Sequence, residues 1–229
     1  MADLRVKICG VTRREDALAV DRAGADYLGV ILSAGFSRSV EPAVASALVE
    51  GVRPITVAVL VGEDPGAAEA AARWIGAGVI QLHGEEPPSV LAEIRTRGPW
   101  KLWKAVRARA LDDIERAVDS YADVADGILL EGWKEGVVGG GSARLDLDPE
   151  RARALIPEHL DFILAGGLDP ETVADAVSAF RPEVVDVSSG VERAKGEKDR
   201  ERVRRFVESA RGAAALLAAG GSSSGGVRR

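Results

Sequence analysis

Eight strand-like apolar runs alternate with eight helix-like patterns along the 229 residues, and together they predict an α/β fold, a single (β/α)8 TIM barrel. Two further observations support that class. The apolar runs are near-continuous rather than alternating, as parallel strands covered by helices should be, and Val57-Ala58-Val59-Leu60-Val61 is the clearest case. The turn after the first strand reads Cys9-Gly10-Val11-Thr12-Arg13 and lacks the GxGxxG spacing by which an open doubly wound sheet would announce itself.

The expected strands lie at 4–9, 25–32, 55–61, 78–82, 101–106, 126–131, 161–165 and 184–188. The expected helices lie at 14–23, 42–50, 66–75, 88–97, 111–121, 149–155, 170–180 and 199–217. Helix starts are written into several junctions. Asp148-Pro149-Glu150 and Asp169-Pro170-Glu171 each put an Asp at the N-cap, Pro in the first turn and Glu behind it. Glu41-Pro42 and Asp64-Pro65 repeat the pattern more weakly. No shift in composition divides the chain, so residues 1–212 read as one barrel domain. Residues 213–229 run from Ala-rich to Gly-Gly-Ser-Ser-Ser-Gly-Gly and read as a frayed helix end with a flexible tail. The glycine-rich segment 132–144 reads as a long loop after the sixth strand, and long loops in compact domains are often functional.

Hydrophobic residues at 46% and charged residues at 29% are those of an ordinary globular protein. A net charge of -6 argues against a nucleic-acid partner, which would want a basic face. No apolar run approaches the length of a membrane span, and Met1-Ala2-Asp3-Leu4-Arg5 opens no secretory signal. With a single cysteine, the expected compartment is a reducing cytoplasm.

In a barrel the carboxyl ends of the strands converge on one face. Those ends carry Cys9, Ser33 followed by Arg38, Gln81 and His83, Arg107, Glu131, Gly166-Gly167 and Ser188-Ser189-Gly190. The two Gly/Ser turns follow strands seven and eight, where this fold often holds a phosphate on backbone N–H groups. Gly166 and Gly167 let the backbone approach closely, and Ser188, Ser189 and Gly190 add hydroxyl and amide donors. Cys9 is either a small apolar filler or a reactive base or nucleophile. To act as a base near neutrality its thiol must be lowered by a cation or by peptide dipoles. Lys7, two positions earlier, shares its face and either assists it or forms a structural ion pair. Glu131 is an acid partner for that thiol or a solvated strand-end carboxylate. Arg38 captures a carboxylate or phosphate, or makes a surface salt bridge. His83, with Gln81 before it, serves hydrogen bonding or proton transfer, or simply ends its strand. The two histidines, His83 and His159, are far apart and have no metal-ligand spacing, so no metal is expected.

Four blocks then stand in order: Lys7-Ile8-Cys9-Gly10-Val11-Thr12, Gln81-Leu82-His83-Gly84-Glu85, Leu164-Ala165-Gly166-Gly167-Leu168, and Asp186-Val187-Ser188-Ser189-Gly190-Val191-Glu192 with Gly196-Glu197-Lys198-Asp199. Together they resemble the phosphoribosylanthranilate isomerase family of tryptophan biosynthesis, over essentially the whole chain. The resemblance implies a cofactor-free and metal-free Amadori rearrangement of N-(5′-phosphoribosyl)anthranilate to the carboxyphenylamino-deoxyribulose phosphate. It implies Cys9 as the base at sugar C2′, Arg38 on the anthranilate carboxylate, and a phosphate groove on Gly167, Ser189 and Gly190. Lys7, Gln81, His83, Gly166 and Ser188 are expected beside the substrate. The implied partner is a small phosphorylated substrate, bound by a monomer or homodimer with no nucleic acid and no membrane.

The chain departs from the family pattern at three places around the mouth of the site. The family's general acid is an aspartate in a Leu-Leu-Asp context, and here Ile128-Leu129-Leu130 leads to Glu131, one methylene longer. The block usually Gly-Gly-Thr-Gly-Lys is Gly139-Gly140-Gly141-Ser142-Ala143. Ser37 and Ser39 flank Arg38 in place of the usual Pro and Tyr. A diverged isomerase using Cys9 and Glu131, a paralogue with another phosphorylated sugar or phosphoribosyl amine, and a catalytically silent phospho-ligand binder are the three readings this pattern leaves. Retention of both a thiol and a carboxylate counts against the last.

Overall fold

The computed structural model describes residues 4–132 and 144–222. Eight parallel strands close in chain order: β1 (Arg5–Ile8), β2 (Tyr27–Ile31), β3 (Ile55–Leu60), β4 (Val79–Leu82), β5 (Lys101–Ala108), β6 (Gly127–Gly132), β7 (Asp161–Leu164) and β8 (Val184–Val187). The ring is completed where β8 returns to β1, pairing Arg5 with Val184 and continuing to Ile8 with Val187. The main helices are α1 (Arg14–Ala23), α2 (Pro42–Val49), α3 (Pro65–Trp74), α4 (Pro88–Arg97), α5 (Leu111–Tyr121), α6 (Pro149–Leu155), α7 (Val173–Phe180) and α8 (Arg200–Ser222).

The near-continuous apolar strands have two apolar faces to satisfy. Their inward side chains fill the barrel with Tyr27, Val57, Val59, Val79, Trp103, Leu129, Ile163 and Val184, on which Cys9 packs. Tyr27 and Trp103 meet edge to face with ring centroids 4.9 Å apart. Their outward side chains, among them Ile8, Leu28, Ile80, Leu102, Ile128 and Phe162, pack with the helices. Because the interior is filled, chemistry is confined to the rim.

Two of the expected N-caps form. Asp64 accepts from the Ala67 N–H at 2.9 Å, and Asp148 from the Arg151 N–H at 2.8 Å. Asp169 does not cap a helix in that way. Its carboxylate accepts from the Thr172 hydroxyl at 2.7 Å and the Glu171 N–H at 3.1 Å, which closes a turn and delays α7 to Val173 rather than 170. A short hairpin not foreseen from the sequence, β9 (Glu192–Ala194) and β10 (Glu197–Lys198), follows a single helical turn at Ser189–Val191. Gly196 makes its reversal at φ 79°, a region closed to most side chains.

The last helix runs beyond the expected end at 217. Alanine is the best helix former, and the Ala-rich stretch continues α8 to Ser222, with Ala213 buried. Residues 223–229, the rest of the expected tail, lie outside the described residues, as do 133–143 of the expected loop. Among the described residues no helix is long and apolar enough to cross a membrane.

Phe206 on α8 is fully buried, whereas Leu216 is exposed on the same helix. Phe206→Ala is expected to cost about 3–5 kcal/mol and Leu216→Ala less than about 0.5 kcal/mol in equilibrium denaturation. Equal effects would mean that α8 does not belong to the cooperative barrel.

Candidate active site

The strand ends gather Cys9, Glu131, Asp186 and both glycine-bearing turns around one cavity, which Ile31, Gly166, Gly167, Leu168, Val187, Ser188, Ser189 and Gly190 complete. Of the expected site residues, Cys9, Glu131, Gly166, Gly167, Ser188, Ser189 and Gly190 therefore meet. Lys7, Arg38, Gln81 and His83 do not line the cavity and stand behind those that do.

The two turns are in direct contact. Gly166 and Gly167 take φ of 90° and 60°, which turns the chain sharply out of β7. A side chain on Gly190 would collide with the carbonyl oxygen of Leu168, so glycine there is a packing requirement. Two loops from adjacent strands thus bring backbone N–H groups to one spot, the arrangement that suits an oxyanion.

Cys9 is fixed by its N–H donating to the Val187 carbonyl at 2.8 Å across the closing seam. Gly29 on the neighbouring strand makes room for it. A β-carbon at Gly29 would lie 3.0 Å from Cys9 Sγ and 3.1 Å from Lys7 Cε, so thiol and lysine stem lean over the same glycine. Lys7 is completely buried, and its Nζ donates to Asp186 Oδ2 at 2.9 Å. The structural ion pair is thus formed, and it lies beside the thiol. Burial pushes the Cys9 thiol above its ordinary value, with the Lys7 ammonium pulling it down and Asp186 pushing it up. Desolvation thus outweighs the cation, and the depression that would suit a base is absent.

Glu131 is not a solvated carboxylate, being only 5% exposed. Its Oε1 faces His83 Nε2 at 3.3 Å and Arg107 Nε at 3.2 Å. Gln81 Nε2 lies 2.8 Å from His83 Nδ1. With the amide as donor, the imidazole proton is assigned to Nε2 and points at Glu131. Gln81 and His83 thus orient the carboxylate from behind. Below them, Lys104 Nζ donates to the Gly84 carbonyl at 2.6 Å and pairs with Glu86 at 3.3 Å, pinning the turn that follows His83.

Arg38 is neither exposed nor a surface bridge. Its Nε and Nη2 both donate to the Glu192 carboxylate at 2.7 Å. Lys198 Nζ donates to the same carboxylate at 2.9 Å and to the Ser188 carbonyl at 3.0 Å. The β9–β10 hairpin therefore ties the Arg38 loop to the turn after β8. Ser33 also serves structure, donating to Glu63 and accepting from the Val61 N–H, each at 2.8 Å. Sequence reasoning assigned no role to Asp186, Glu192 or Lys198. Asp186 carried a readable signal, a charge inside the apolar strand Val184–Val187 at even spacing from Ser188.

A wider cleft of about 860 Å³ opens at the opposite end of the barrel, where Leu4, Asp26, Glu183, Arg211 and Leu217 meet. Three of the arginines that line it are engaged: Arg5 by Asp161, Arg153 by Glu183 and Arg211 by Asp26. The described residues contain no group of three or more His, Cys, Asp or Glu that could hold a metal.

Residues 6–209 match the family model described as N-(5′-phosphoribosyl)anthranilate (PRA) isomerase. The chain is 41% identical over 212 residues to the N-(5′-phosphoribosyl)anthranilate isomerase of Thiobacillus denitrificans, covering 91% of this chain and 98% of that one. It is 38% identical over 221 residues to that of Cellvibrio japonicus, covering 95% and 98%. Among solved structures, the Thermotoga maritima isomerase superposes with a TM-score of 0.81 at 35% identity, covering 91% of this chain and 99% of that one. A phosphoribosyl anthranilate isomerase in complex with reduced 1-(o-carboxyphenylamino)-1-deoxyribulose 5-phosphate gives 0.77 at 34% identity, covering 91% and 99%.

As the chain's sole cysteine, Cys9 can be titrated by thiolate absorbance. It is expected to ionise above the roughly 8.5 of a free thiol, and ionisation below that value would show that Lys7 outweighs burial. Gly190→Ala is expected to cost about 1–3 kcal/mol by overpacking and to weaken binding of inorganic phosphate. Unchanged phosphate affinity in a folded variant would separate the Leu168–Gly190 contact from the anion site.

Proposed function

The chain belongs to the N-(5′-phosphoribosyl)anthranilate isomerase family, and from that premise we propose that Cys9 is the base and Glu131 the acid of its Amadori rearrangement. One observation carries these roles: the thiol and the carboxylate line the same cavity as the two backbone turns that can take the phosphate.

The substrate's phosphate sits on the turns of Gly166, Gly167, Ser188, Ser189 and Gly190. That anchor places the furanose between Cys9 and Glu131, and holding reacting groups in register removes much of the entropic barrier. Protonated Glu131 gives its proton to the ring oxygen as the bond from that oxygen to C1′ breaks, leaving an iminium at C1′. The Cys9 thiolate removes the C2′ proton, and the electron pair flows into a C1′–C2′ double bond that neutralises the iminium. The Glu131 carboxylate takes the C2′ hydroxyl proton of the resulting enaminol while the Cys9 thiol returns its proton to C1′, which gives the ketone and restores both residues. Neither residue acts alone. His83 and Arg107, within 3.3 Å and 3.2 Å of Glu131, orient the acid. Lys7, beneath the thiol, stabilises the thiolate as it forms.

Arg38 receives the anthranilate carboxylate in this reading. Glu192 holds its Nε and Nη2, which leaves Nη1 to reach the substrate. The 139–143 block, at which the chain departs from the family pattern, lies outside the described residues. A reducing cytoplasm is the proposed compartment, where Cys9 stays a free thiol. The proposed assembly is a monomer or homodimer, a Thermotoga maritima relative being described as dimeric with monomers generated from it.

Loss of anthranilate-type fluorescence from freshly made substrate measures the reaction. Cys9→Ser is expected to lower turnover by about 10²–10⁴-fold while phosphate ligands still bind, and near-normal turnover would remove Cys9 from the mechanism. Glu131→Asp is expected to lose about a hundredfold, because His83 and Arg107 hold an oxygen placed by the longer side chain. Faster turnover in that variant would show instead that the geometry still suits aspartate.

A further inference from the structure

Two arginines flank the mouth of the site, and they are not equally free. Arg38 follows β2; its side chain is 5% exposed, and Glu192 holds both Nε and Nη2. Arg107 lies near the end of β5, and its side chain is 24% exposed. It follows Trp103 and Ala105 on the inward face of that strand, as Glu131 follows Leu129 on β6. The two residues pair in register, so both reach the rim on the inner side of the barrel. Arg107 Nε is engaged by Glu131 Oε1 at 3.2 Å. Among the described residues neither Nη1 nor Nη2 of Arg107 has a hydrogen-bond partner. Arg107 therefore keeps a whole two-nitrogen edge, the fork that matches a carboxylate or phosphate, where Arg38 keeps one nitrogen.

The cavity between Cys9, Glu131 and the two glycine-bearing turns holds about 60 Å³. That is far below the roughly 300–1,000 Å³ of pockets that enclose a whole small-molecule ligand. With the phosphate on the turns and the furanose between thiol and carboxylate, the arylamine must extend over the rim. Strand order gives the direction. The phosphate turns follow β7 and β8, Glu131 is on β6, and Arg107 on β5 is the next position beyond it. Arg107 thus stands on the side of the acid away from the phosphate, where the group on C1′ lies. A guanidinium only donates, so its partner is an acceptor. The amine N–H is a donor, and the nitrogen lone pair is drawn into the aryl ring. The ring oxygen faces Glu131 until the ring opens, and the hydroxyl oxygens are single and uncharged. The aryl carboxylate alone offers two anionic oxygens at the spacing of the fork. We propose that Arg107 is a specificity-determining residue that takes this carboxylate on Nη1 and Nη2, facing the single nitrogen that Arg38 presents. This rests on the isomerase reading, which supplies the arylamine at C1′. One guanidinium then recognises the carboxylate and, through Nε, holds the acid in place beside it.

The probes are reduced 1-(o-carboxyphenylamino)-1-deoxyribulose 5-phosphate, its counterpart without the carboxylate, and inorganic phosphate, with affinities read by calorimetry. The unmodified protein is expected to prefer the carboxylated compound by about 10–100-fold, the range for hydrogen bonds between charged groups. Arg107→Met should cut that preference by about tenfold and leave inorganic phosphate bound as before. Arg107→Lys keeps a cation beside Glu131 but loses the fork, and should cut the preference by a smaller factor. A preference that survives both substitutions leaves the carboxylate to Arg38, makes Arg107 a support for Glu131 alone, and overturns the proposal. Weaker phosphate binding in Arg107→Met with the preference intact would place the guanidinium at the other end of the substrate and overturn it too. So would an unmodified protein indifferent to the carboxylate. Turnover of the unmodified protein reports separately on the underlying reading. Its absence, with a carboxylate preference that Arg107→Met removes, would sink the isomerase roles and not this contact; turnover with a preference that Arg107→Met leaves unmoved would sink the contact alone.

Discussion

Closure of β8 onto β1 is the constraint on which the rest of the structure depends. The seam joins residues 179 positions apart, and its centre is the Lys7–Asp186 pair. Burying two charges is expensive, and a well-packed apolar pair is often as stable or more so. Stability therefore does not explain the pair. Its position does: Cys9 lies above it on one strand and Ser188 on the other, with the Cys9 N–H bonded across to Val187. Seam, thiol and the turn after β8 are thus joined directly.

A second cluster of buried charge couples the Arg38 loop to the turn after β8. Arg38 and Lys198 share Glu192, and Lys198 also holds the Ser188 carbonyl. Burial lowers the Lys198 ammonium, which Glu192 raises again, and the pairing lowers the Glu192 carboxyl despite its burial. Two cations around one anion leave a net positive charge beside the turn after β8. The hairpin carrying this cluster is itself tied to the turn before α1, by the Thr12 hydroxyl on the Gly196 carbonyl, and to α1, by the Lys198 N–H on Asp16.

The barrel was legible because a parallel sheet covered by helices leaves long apolar runs, and α1, α4, α5 and α6 match the expected spans. Boundaries failed where side chains or composition overrode the local pattern. Asp169 spent its carboxylate on a turn, and the Ala-rich stretch carried α8 beyond 217. Cys9, Glu131 and the two turns were readable from their strand-end positions. The state of Cys9 was not, because burial and the competing charges of Lys7 and Asp186 arise only on closure. Arg38 was recognised as an anion-seeking group, but its engagement by Glu192 joins residues 154 positions apart through a hairpin too short to leave a pattern.

The cleft at the far end of the barrel brings Leu4 and Leu217 into one lining, so the first strand and the last helix come together on the side away from the chemistry. The order in which the eight units are threaded is thus separable from their arrangement. A chain joined across that cleft and opened at an exposed connection on the same face would present the same ring of strand ends, with the seam between β1 and β8 turned from a meeting of distant segments into a local contact.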